Sequence, residues 1–533
     1  MSYLTHDTSL GSWLGTTDHK RIGVMYLGTT LLTFLAGGLF AMVLRLELLT
    51  PGPDVIEAQM YNRLFTLHGM VMVFLFMVPA IPSIFGNFFL PLMLGARDVA
   101  FPRLNLATYW LFVTGLVIAL WGMLHGGADT GWTFYAPYST TTVTKLAPIM
   151  LGIFVIGLSS ILTGINFIVT THALRAPGLS WGKLPLFVWA LYATSVIQVL
   201  ATPVIGILVL AVFAELVFGF GLFDPARGGD PILFQHLFWF YSHPVVYLMV
   251  LPAFGIISEV VATFCRRQVF GYKLVAASTI GIAGVGFFVW GHHMFVSGQS
   301  TFDAGIFGAL SMLVGVFTSI KVFNWVMTLY KGAVHMTVPF AYACAFLYFL
   351  VFGGMTGISL AVVSLDVHWH DTYYVVAHFH FVMVGTVLMA FLAGLHYWFP
   401  KMFGRMFNES AGYMALTFIF IGFNGTFMPQ FMLGNMGMPR RYYQYDEMFR
   451  NLNVLSSAGA ALLAAGFTLV LLYLVLALFS GERAGDSPWH SKGYEWTTRS
   501  PPEPHNFTGP VTRVEEPHDY HQAPDDEEVR DAS

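Results

Sequence analysis

His370-Asp371-Thr372-Tyr373-Tyr374-Val375-Val376-Ala377-His378-Phe379-His380 opens an apolar segment that runs to Pro400. Three histidines, an aspartate and two tyrosines within eleven residues are out of place in a membrane span, where polar side chains are costly and usually functional. On a helix, residues two apart point about 200° from each other. His378 and His380 therefore face opposite sides and cannot bind one metal between them. They can bind two, and a pair of metal centres flanking one helix is the first expectation.

The surroundings fix the class of protein. The 533-residue chain is 56% hydrophobic and 10% charged, against about 25% charged in soluble domains. Apolar runs of 18 or more residues recur from end to end, the mark of an all-α polytopic membrane protein. Twelve candidate spans fall near 22–44, 65–94, 106–124, 148–171, 186–219, 233–264, 273–294, 303–331, 338–361, 371–399, 412–435 and 453–479. Residues 1–21 form a polar N-terminal segment, 22–480 the membrane domain and 481–533 a polar tail predicted to have little fixed structure. An even number of spans puts both termini on one side. With that side cytoplasmic, twelve Lys and Arg of short loops and flanks, Lys20, Arg97, Lys183 and Lys401 among them, face seven on the other, which favours this orientation. The net charge of −4 does not suggest nucleic acid as a partner. Two cysteines, Cys265 and Cys344, are too few for a disulfide framework or a zinc motif.

Further polar groups interrupt the spans. His68 lies near the start of span two; with His380 as counterpart on a facing helix, two neutral imidazoles can hold a planar metal macrocycle. Span six carries Trp239-Phe240-Tyr241-Ser242-His243-Pro244-Val245-Val246-Tyr247, where His243 and Tyr247 share a helix face one turn apart. Span seven ends in Trp290-Gly291-His292-His293-Met294. Neighbouring histidines point about 100° apart, so they chelate together only where the helix is distorted. With His243 they would make a three-nitrogen site suited to copper, zinc or iron. Lys321 in span eight either snorkels to an interface or belongs to a proton path. Thr318 shares its face, and one pointing toward Tyr247, with Ser258 further along span six, would form a relay. Asp98 taken alone is an ordinary loop carboxylate. Asn87, Asn105, Asn166, Ser159 and Ser160 supply a string of polar groups that suits ordered waters.

Together, Trp239–Tyr247, Trp290–Met294, Lys321 and His370–His380, with Phe101–Asn105, Gly131-Trp132-Thr133, Gly229-Asp230-Pro231 and Met438–Arg441, resemble subunit I of the heme–copper oxidases over about residues 18–480. The resemblance is closest to the A-type branch that oxidises cytochrome c. It implies a proton-pumping terminal respiratory oxidase that reduces O2 to water with electrons from cytochrome c, received through copper A on subunit II. It implies low-spin heme a on His68 and His380, high-spin heme a3 on His378, copper B on His243, His292 and His293, and a covalent link between His243 and Tyr247. Phe379 would lie between the hemes. Arg45 resembles the arginine at the heme a formyl group, Trp132 a heme-pocket tryptophan, and Arg440 and Arg441 the pair at the heme propionates. His370 and Asp371 match ligands of magnesium or manganese at the subunit II interface. Lys321, Thr318, Ser258 and Tyr247 match one proton path; Asp98, Asn87, Asn105, Asn166, Ser159 and Ser160 match a second. A calcium or sodium site near Glu47 is a further expectation, although Gln444 stands where the pattern calls for an acidic ligand. Subunit III, other oxidase subunits and a larger respiratory assembly are the implied partners.

One departure distinguishes this chain. Mitochondrial-type relatives carry glutamate two residues after the first copper histidine, at the end of the second proton path. Here that position is Val245, and Tyr241-Ser242 precedes His243. This resembles a bacterial subgroup whose hydroxyl pair occupies the same space, and it implies a bacterial plasma membrane and relay through Ser242 and Tyr241. Three rivals remain. A quinol oxidase shares the same core, but Met60 stands where quinol-oxidising relatives commonly carry His. A nitric oxide reductase is opposed by Lys321 and Tyr247. A transporter using buried His and Lys for coupling ions is the rival from another class.

Overall fold

The computed structural model describes residues 1–507, Gly509 and Val511. Among them lie twelve helices long and apolar enough to cross a membrane, one at each expected place: His19–Glu47, Ala58–Leu94, Pro102–Leu124, Leu146–Ala173, Leu186–Phe218, Pro231–Phe264, Tyr272–Met294, Thr301–Leu329, Val338–Leu360, Tyr373–Phe403, Glu409–Asn435 and Glu447–Ser480. These are spans one to twelve below. No strand occurs among the described residues, only two isolated bridges.

The helix ends follow local chemistry. Asp18, Asp230, Ser300, Thr372 and Asn408 each accept a backbone N–H of the first turn of their helix, satisfying a donor that has no partner inside it. Pro231 fills the first position of span six, where no N–H is needed. Gly95 and Gly404 close spans two and ten in the left-handed conformation, φ 70° and 67°, which costs glycine no strain.

Burial grades the bundle. Span six is the most enclosed, with 89% of its most apolar window buried, and span eight the least, with 17%. Exposed Leu32, Leu39, Ile207, Val316 and Phe323 line the outer faces, as side chains turned toward lipid should. The abundant phenylalanines mostly pack on one another and on Trp398, which stacks on Phe89 at 4.4 Å.

Spans two and ten are irregular in a related way. Each passes from α-helix into a wider π-helical stretch just beyond a histidine: Val71–Met77 follows His68, and Phe381–Leu388 follows His380. Such widening is common at functional sites. Span seven tightens instead, into 3₁₀ turns at Gly286–Phe288 and Trp290–Met294, the distortion that the adjacent His292 and His293 require.

The tail departs from expectation. Over the described residues 481–507 it is packed against the bundle. Trp489 and Trp496 are buried and donate to Tyr397 O and Tyr397 Oη at 2.7 and 2.9 Å. Lys401 Nζ donates to the carbonyls of Asp486 and Thr498 at 2.9 and 2.5 Å. Lys20 Nζ reaches Pro504 O at 3.0 Å and Asn506 Oδ1 at 2.7 Å. A polar composition indicated solvation, but these residues satisfy buried lysines and tyrosines of the membrane domain. The remainder of the expected tail lies outside the described residues. Cys265 and Cys344 are both free thiols.

Candidate active site and metal centres

His68 and His380 face each other with ring centroids 6.4 Å apart and planes 12° from parallel. Each Nδ1 is 2.8 Å from a carbonyl, Gly37 O for His68 and Val376 O for His380. A carbonyl only accepts, so Nδ1 carries a proton and Nε2 is the nitrogen left for a ligand bond. His380 also stacks on Phe427 at 4.3 Å. His378 points elsewhere, as its spacing requires. Its Nδ1 is 3.0 Å from Thr356 Oγ1, whose own proton goes to Gly353 O. The hydroxyl therefore accepts from His378, which leaves Nε2 as the free ligand atom. A Cβ at Gly357 would sit 2.9 Å from His378 Cε1, so glycine there makes room for the ring.

His243, His292 and His293 form a separate cluster, each offering a nitrogen within 4.8 Å of the others. His243 Nδ1 is 3.0 Å from His293 Nε2. His292 Nδ1 meets Ser311 Oγ at 2.7 Å, and Ser311 donates to Phe307 O, so His292 also directs a bare Nε2 away from its support. Trp239 lies flat on His293 at 3.7 Å. Tyr247 sits edge-on to His243 with centroids 4.7 Å apart, in space kept open by Gly286, whose Cβ would fall 2.5 Å from Tyr247 Cδ2. His243 Nε2 is buried without a hydrogen-bond partner.

A family model described as "Cytochrome C and Quinol oxidase polypeptide I" matches residues 21–462. Proteins called cytochrome c oxidase subunit 1 are similar over most of their length. That of Synechocystis sp. is 44% identical over 491 residues, 92% of this chain and 89% of the relative. That of Thermostichus vulcanus is 42% identical over 504 residues, 94% and 91%. That of Bacillus subtilis is 40% identical over 508 residues, 94% and 82%. The chain belongs to the cytochrome c and quinol oxidase polypeptide I family. A solved heme-copper terminal oxidase dimer, 21% identical, shares the fold with a TM-score of 0.76 over 87% of this chain and 85% of that one.

The other residues of this oxidase-family chain fall into groups. Arg45 is buried between spans one and twelve, donating to Ser457 Oγ at 3.1 and 2.8 Å and to Asn453 O at 2.7 Å, while Nη1 has no partner. Trp132 packs on Gly69, next to His68. Arg440 Nε donates to Asp371 Oδ1 at 2.7 Å. The Arg441 guanidinium lies against Gly131 and within 3.5 Å of Thr133 Oγ1; burial lowers its pKa to about 10. His370 is 3.5 Å from Asp366 and 3.7 Å from Asp371 through its two nitrogens. Asp366 was not singled out from sequence, although a carboxylate one turn before His370 is a legible signal.

Glu47 does not fit a cation site. Its carboxylate accepts the N–H groups of Asp54, Val55 and Ile56 at 3.3, 2.9 and 2.8 Å. Donors converge where a calcium or sodium cage would need acceptors.

Lys321 is 1% exposed, which rules out snorkelling. Its ammonium does not join Thr318 and Tyr247. It donates to Thr279 Oγ1 at 2.6 Å and Val275 O at 2.9 Å, both on span seven. Thr318 donates to Val314 O, and Ser258 accepts from Trp325 Nε1 at 3.0 Å. Asp98 sits in the loop after span two and accepts the Val99 N–H at 2.7 Å; burial, opposed by that bond, pushes its pKa to about 7. Asn166 brackets Phe101, accepting its N–H at 3.0 Å and donating to its carbonyl at 3.3 Å. Asn87 Oδ1, both amide atoms of Asn105, Ser160 Oγ and Ser242 Oγ are buried without partners. Ser159 is engaged with Thr108 O and Tyr26 Oη. Thr279, Tyr26 and Thr108 were likewise not singled out, since a hydroxyl in an apolar span signals nothing until its partner is known.

Proposed function

We propose that the chain is the catalytic subunit of a terminal oxidase that passes electrons from cytochrome c to O2, forms water, and couples this to proton translocation. One observation carries it: six imidazoles lie in an opposed pair, a single ring and a triad, inside a helical bundle of the oxidase family. The opposed pair would hold a heme iron between its two rings. Two metal–nitrogen bonds of about 2 Å plus the two ring radii span roughly 6 Å, close to the 6.4 Å observed. The unpartnered Nη1 of Arg45 fits a polar heme substituent. The triad fits copper by donor type and spacing.

On this reading His68 and His380 hold heme a, His378 holds heme a3, and His243, His292 and His293 hold copper B. When bound, these groups supply the O2-binding and electron-transfer chemistry. The chain supplies the rest. Gly37, Val376, Thr356 and Ser311 fix the imidazole tautomers. Tyr247 holds a proton and an electron beside the reacting site. The unpartnered His243 Nε2 and the nearby Tyr247 ring support a bond between them; making it would release two protons and two electrons, which O2 would accept. Arg440 and Arg441 supply positive charge for propionates, and Arg440 orients Asp371 toward His370, where magnesium or manganese would bind at the boundary with subunit II. Protons enter through Lys321, Thr318 and Ser258, and through Asp98, Asn87, Asn105, Asn166, Ser159 and Ser160 toward Tyr241 and Ser242.

Cytochrome c is favoured over quinol because Met60 replaces a histidine common in quinol-oxidising relatives. The setting is a bacterial plasma membrane, both termini cytoplasmic, with subunits II and III as partners. The test is a reduced-minus-oxidised spectrum with pyridine hemochrome and copper analysis, then O2 uptake with reduced cytochrome c or a quinol. Two hemes A, one copper per isolated chain and cytochrome c-dependent uptake are expected. Absence of heme and copper overturns the reading, and uptake with quinol alone replaces the donor.

A further inference from the structure

Span five carries an unexplained row. Thr194 Oγ1, Gln198 Oε1 and Thr202 Oγ1 are buried and have no hydrogen-bond partner in the protein. Their spacing of four places them on one face of the helix Leu186–Phe218. Ser195, beside the row, bonds to Leu191 O in the ordinary way. Unpaired polar atoms in a bundle core are costly and rare, so three in register need an explanation.

Span four faces this row. A Cβ at Gly164 would meet Gln198 Cβ at 3.0 Å, and one at Gly157 would meet Thr202 Cγ2 at 3.3 Å. Ser160 lies between these glycines on the same side, and its Oγ is a fourth unpartnered atom. Ser159, one position earlier, is turned away to Thr108 and Tyr26. The two serines therefore serve different faces.

The row runs toward the histidine triad. Spans five and six are antiparallel. Near one end Phe187 N–H donates to Glu259 Oε1 at 3.1 Å, and Gly255 packs on Phe187 and Ala190. Near the other, Val209 lies beside Phe234 and Phe238. Counting between these anchors puts Thr202 level with the Tyr241–Val245 turn and Gln198 about one turn below. Ser242 Oγ, in that turn, is a fifth unpartnered buried atom. Val245 offers no carboxyl there.

We propose that Thr194, Gln198 and Thr202, with Ser160, hold a file of water molecules that conducts protons up the seam between spans four and five to Ser242. Each hydroxyl or amide both donates and accepts, so a water between two of them keeps the two to four partners that an internal water needs. This inference rests on the proposed oxidase function. It adds the groups that carry protons where this chain lacks an acidic side chain.

The test uses the purified oxidase complex in proteoliposomes. The variant Q198L/T202V removes two polar groups while nearly keeping volume. Turnover is expected to fall about tenfold, less than the ~10²-fold of a positioned proton-transfer group, because other waters bypass the gap. Proton release per electron is expected to drop and the solvent deuterium isotope effect to rise, with heme and copper content unchanged. T202S, which keeps the hydroxyl, should behave as the unaltered protein. If the double variant fails to assemble, T202V alone carries the measurement, with the same direction of change expected. Unaltered stoichiometry and isotope effect in a metal-replete T202V or double variant overturn the proposal. Y241F/S242G separates the two levels of argument: if it lowers pumping while Q198L/T202V does not, only this inference fails, and if neither does, the Tyr241–Ser242 route itself fails.

Discussion

His68 and His380, 312 positions apart in sequence, lie nearly parallel with ring centroids 6.4 Å apart. Each is braced by a carbonyl, and each precedes a π-helical stretch of its own span. A gap of this width suits one metal ion between two imidazole nitrogens. H380A should therefore lose the low-spin heme signal and keep the copper. The check is the reduced spectrum with copper analysis. A variant retaining the low-spin band would remove His380 from the ligand set.

Two glycines in span seven form a matched pair for testing Tyr247. A Cβ at Gly286 would lie 2.5 Å from Tyr247 Cδ2, whereas Gly284 has nothing within 4 Å. G286A should displace the ring, cost about 1–3 kcal/mol of stability as an overpacked site does, and lower oxidase turnover at least tenfold. G284A should leave both within error. Peptide mapping of the proposed His243–Tyr247 link gives a second readout, with reduced crosslink yield expected in G286A only. Equal behaviour of the two variants would mean that the position of Tyr247 is not critical.

Asp98 sets a pH dependence whose sign follows from its burial. Its folded pKa, about 7, is raised above the ordinary 3.8. The folded protein thus binds this proton more tightly than the unfolded chain. The stabilisation is complete below about 3.8 and is lost as pH rises through 7, amounting to a few kcal/mol at most. D98N has no such proton. Melting midpoints of the two proteins should therefore diverge between pH 4 and pH 8, the unaltered protein losing stability relative to D98N as pH rises. A constant difference across that range would place Asp98 in water.

How legible these features were depends on the physics behind each. The spans were readable because membrane helices must be long and apolar, and the opposite aims of His378 and His380 followed from helical geometry alone. Support for the imidazoles was not readable. Thr356, Ser311, Gly37 and Val376 act through a hydroxyl or a carbonyl brought close by packing, and no local pattern announces that. Lys321 shows the same limit. Its burial follows from its span, but its partner Thr279 belongs to another helix. The tail misled by composition, because polar residues that pair with buried lysines look the same in sequence as polar residues in water.

Trp496 tests that packed tail. Its ring is buried, its indole donates to Tyr397 Oη at 2.9 Å, and Lys401 Nζ lies 5.1 Å from its centroid. W496A should cost about 3–5 kcal/mol, the range for a buried aromatic, while the metal content of the folded fraction stays normal. Denaturant or thermal unfolding with heme quantification checks it. A loss below about 1 kcal/mol would mean that the tail's contacts contribute little to the stability of the bundle.

Lys321 and Thr279 give the last prediction. The ammonium is held 2.6 Å from Thr279 Oγ1 and 2.9 Å from Val275 O, away from Thr318 in its own helix. For Lys321 to pass a proton toward Tyr247 it must leave this resting place. A hydrogen bond contributes about 0.5–1.5 kcal/mol net, so the Thr279 contact slows departure in proportion. T279V keeps the size of the side chain and the carbonyl partner but removes the hydroxyl. Reduction of the fully oxidised complex, followed anaerobically by stopped flow, should become faster by up to about tenfold, whereas K321M should nearly abolish it. T279S, with the hydroxyl restored, should return to the original rate. A slower T279V would mean instead that the Thr279 hydroxyl lies on the proton route, since removing a link and removing a tether shift this rate in opposite directions.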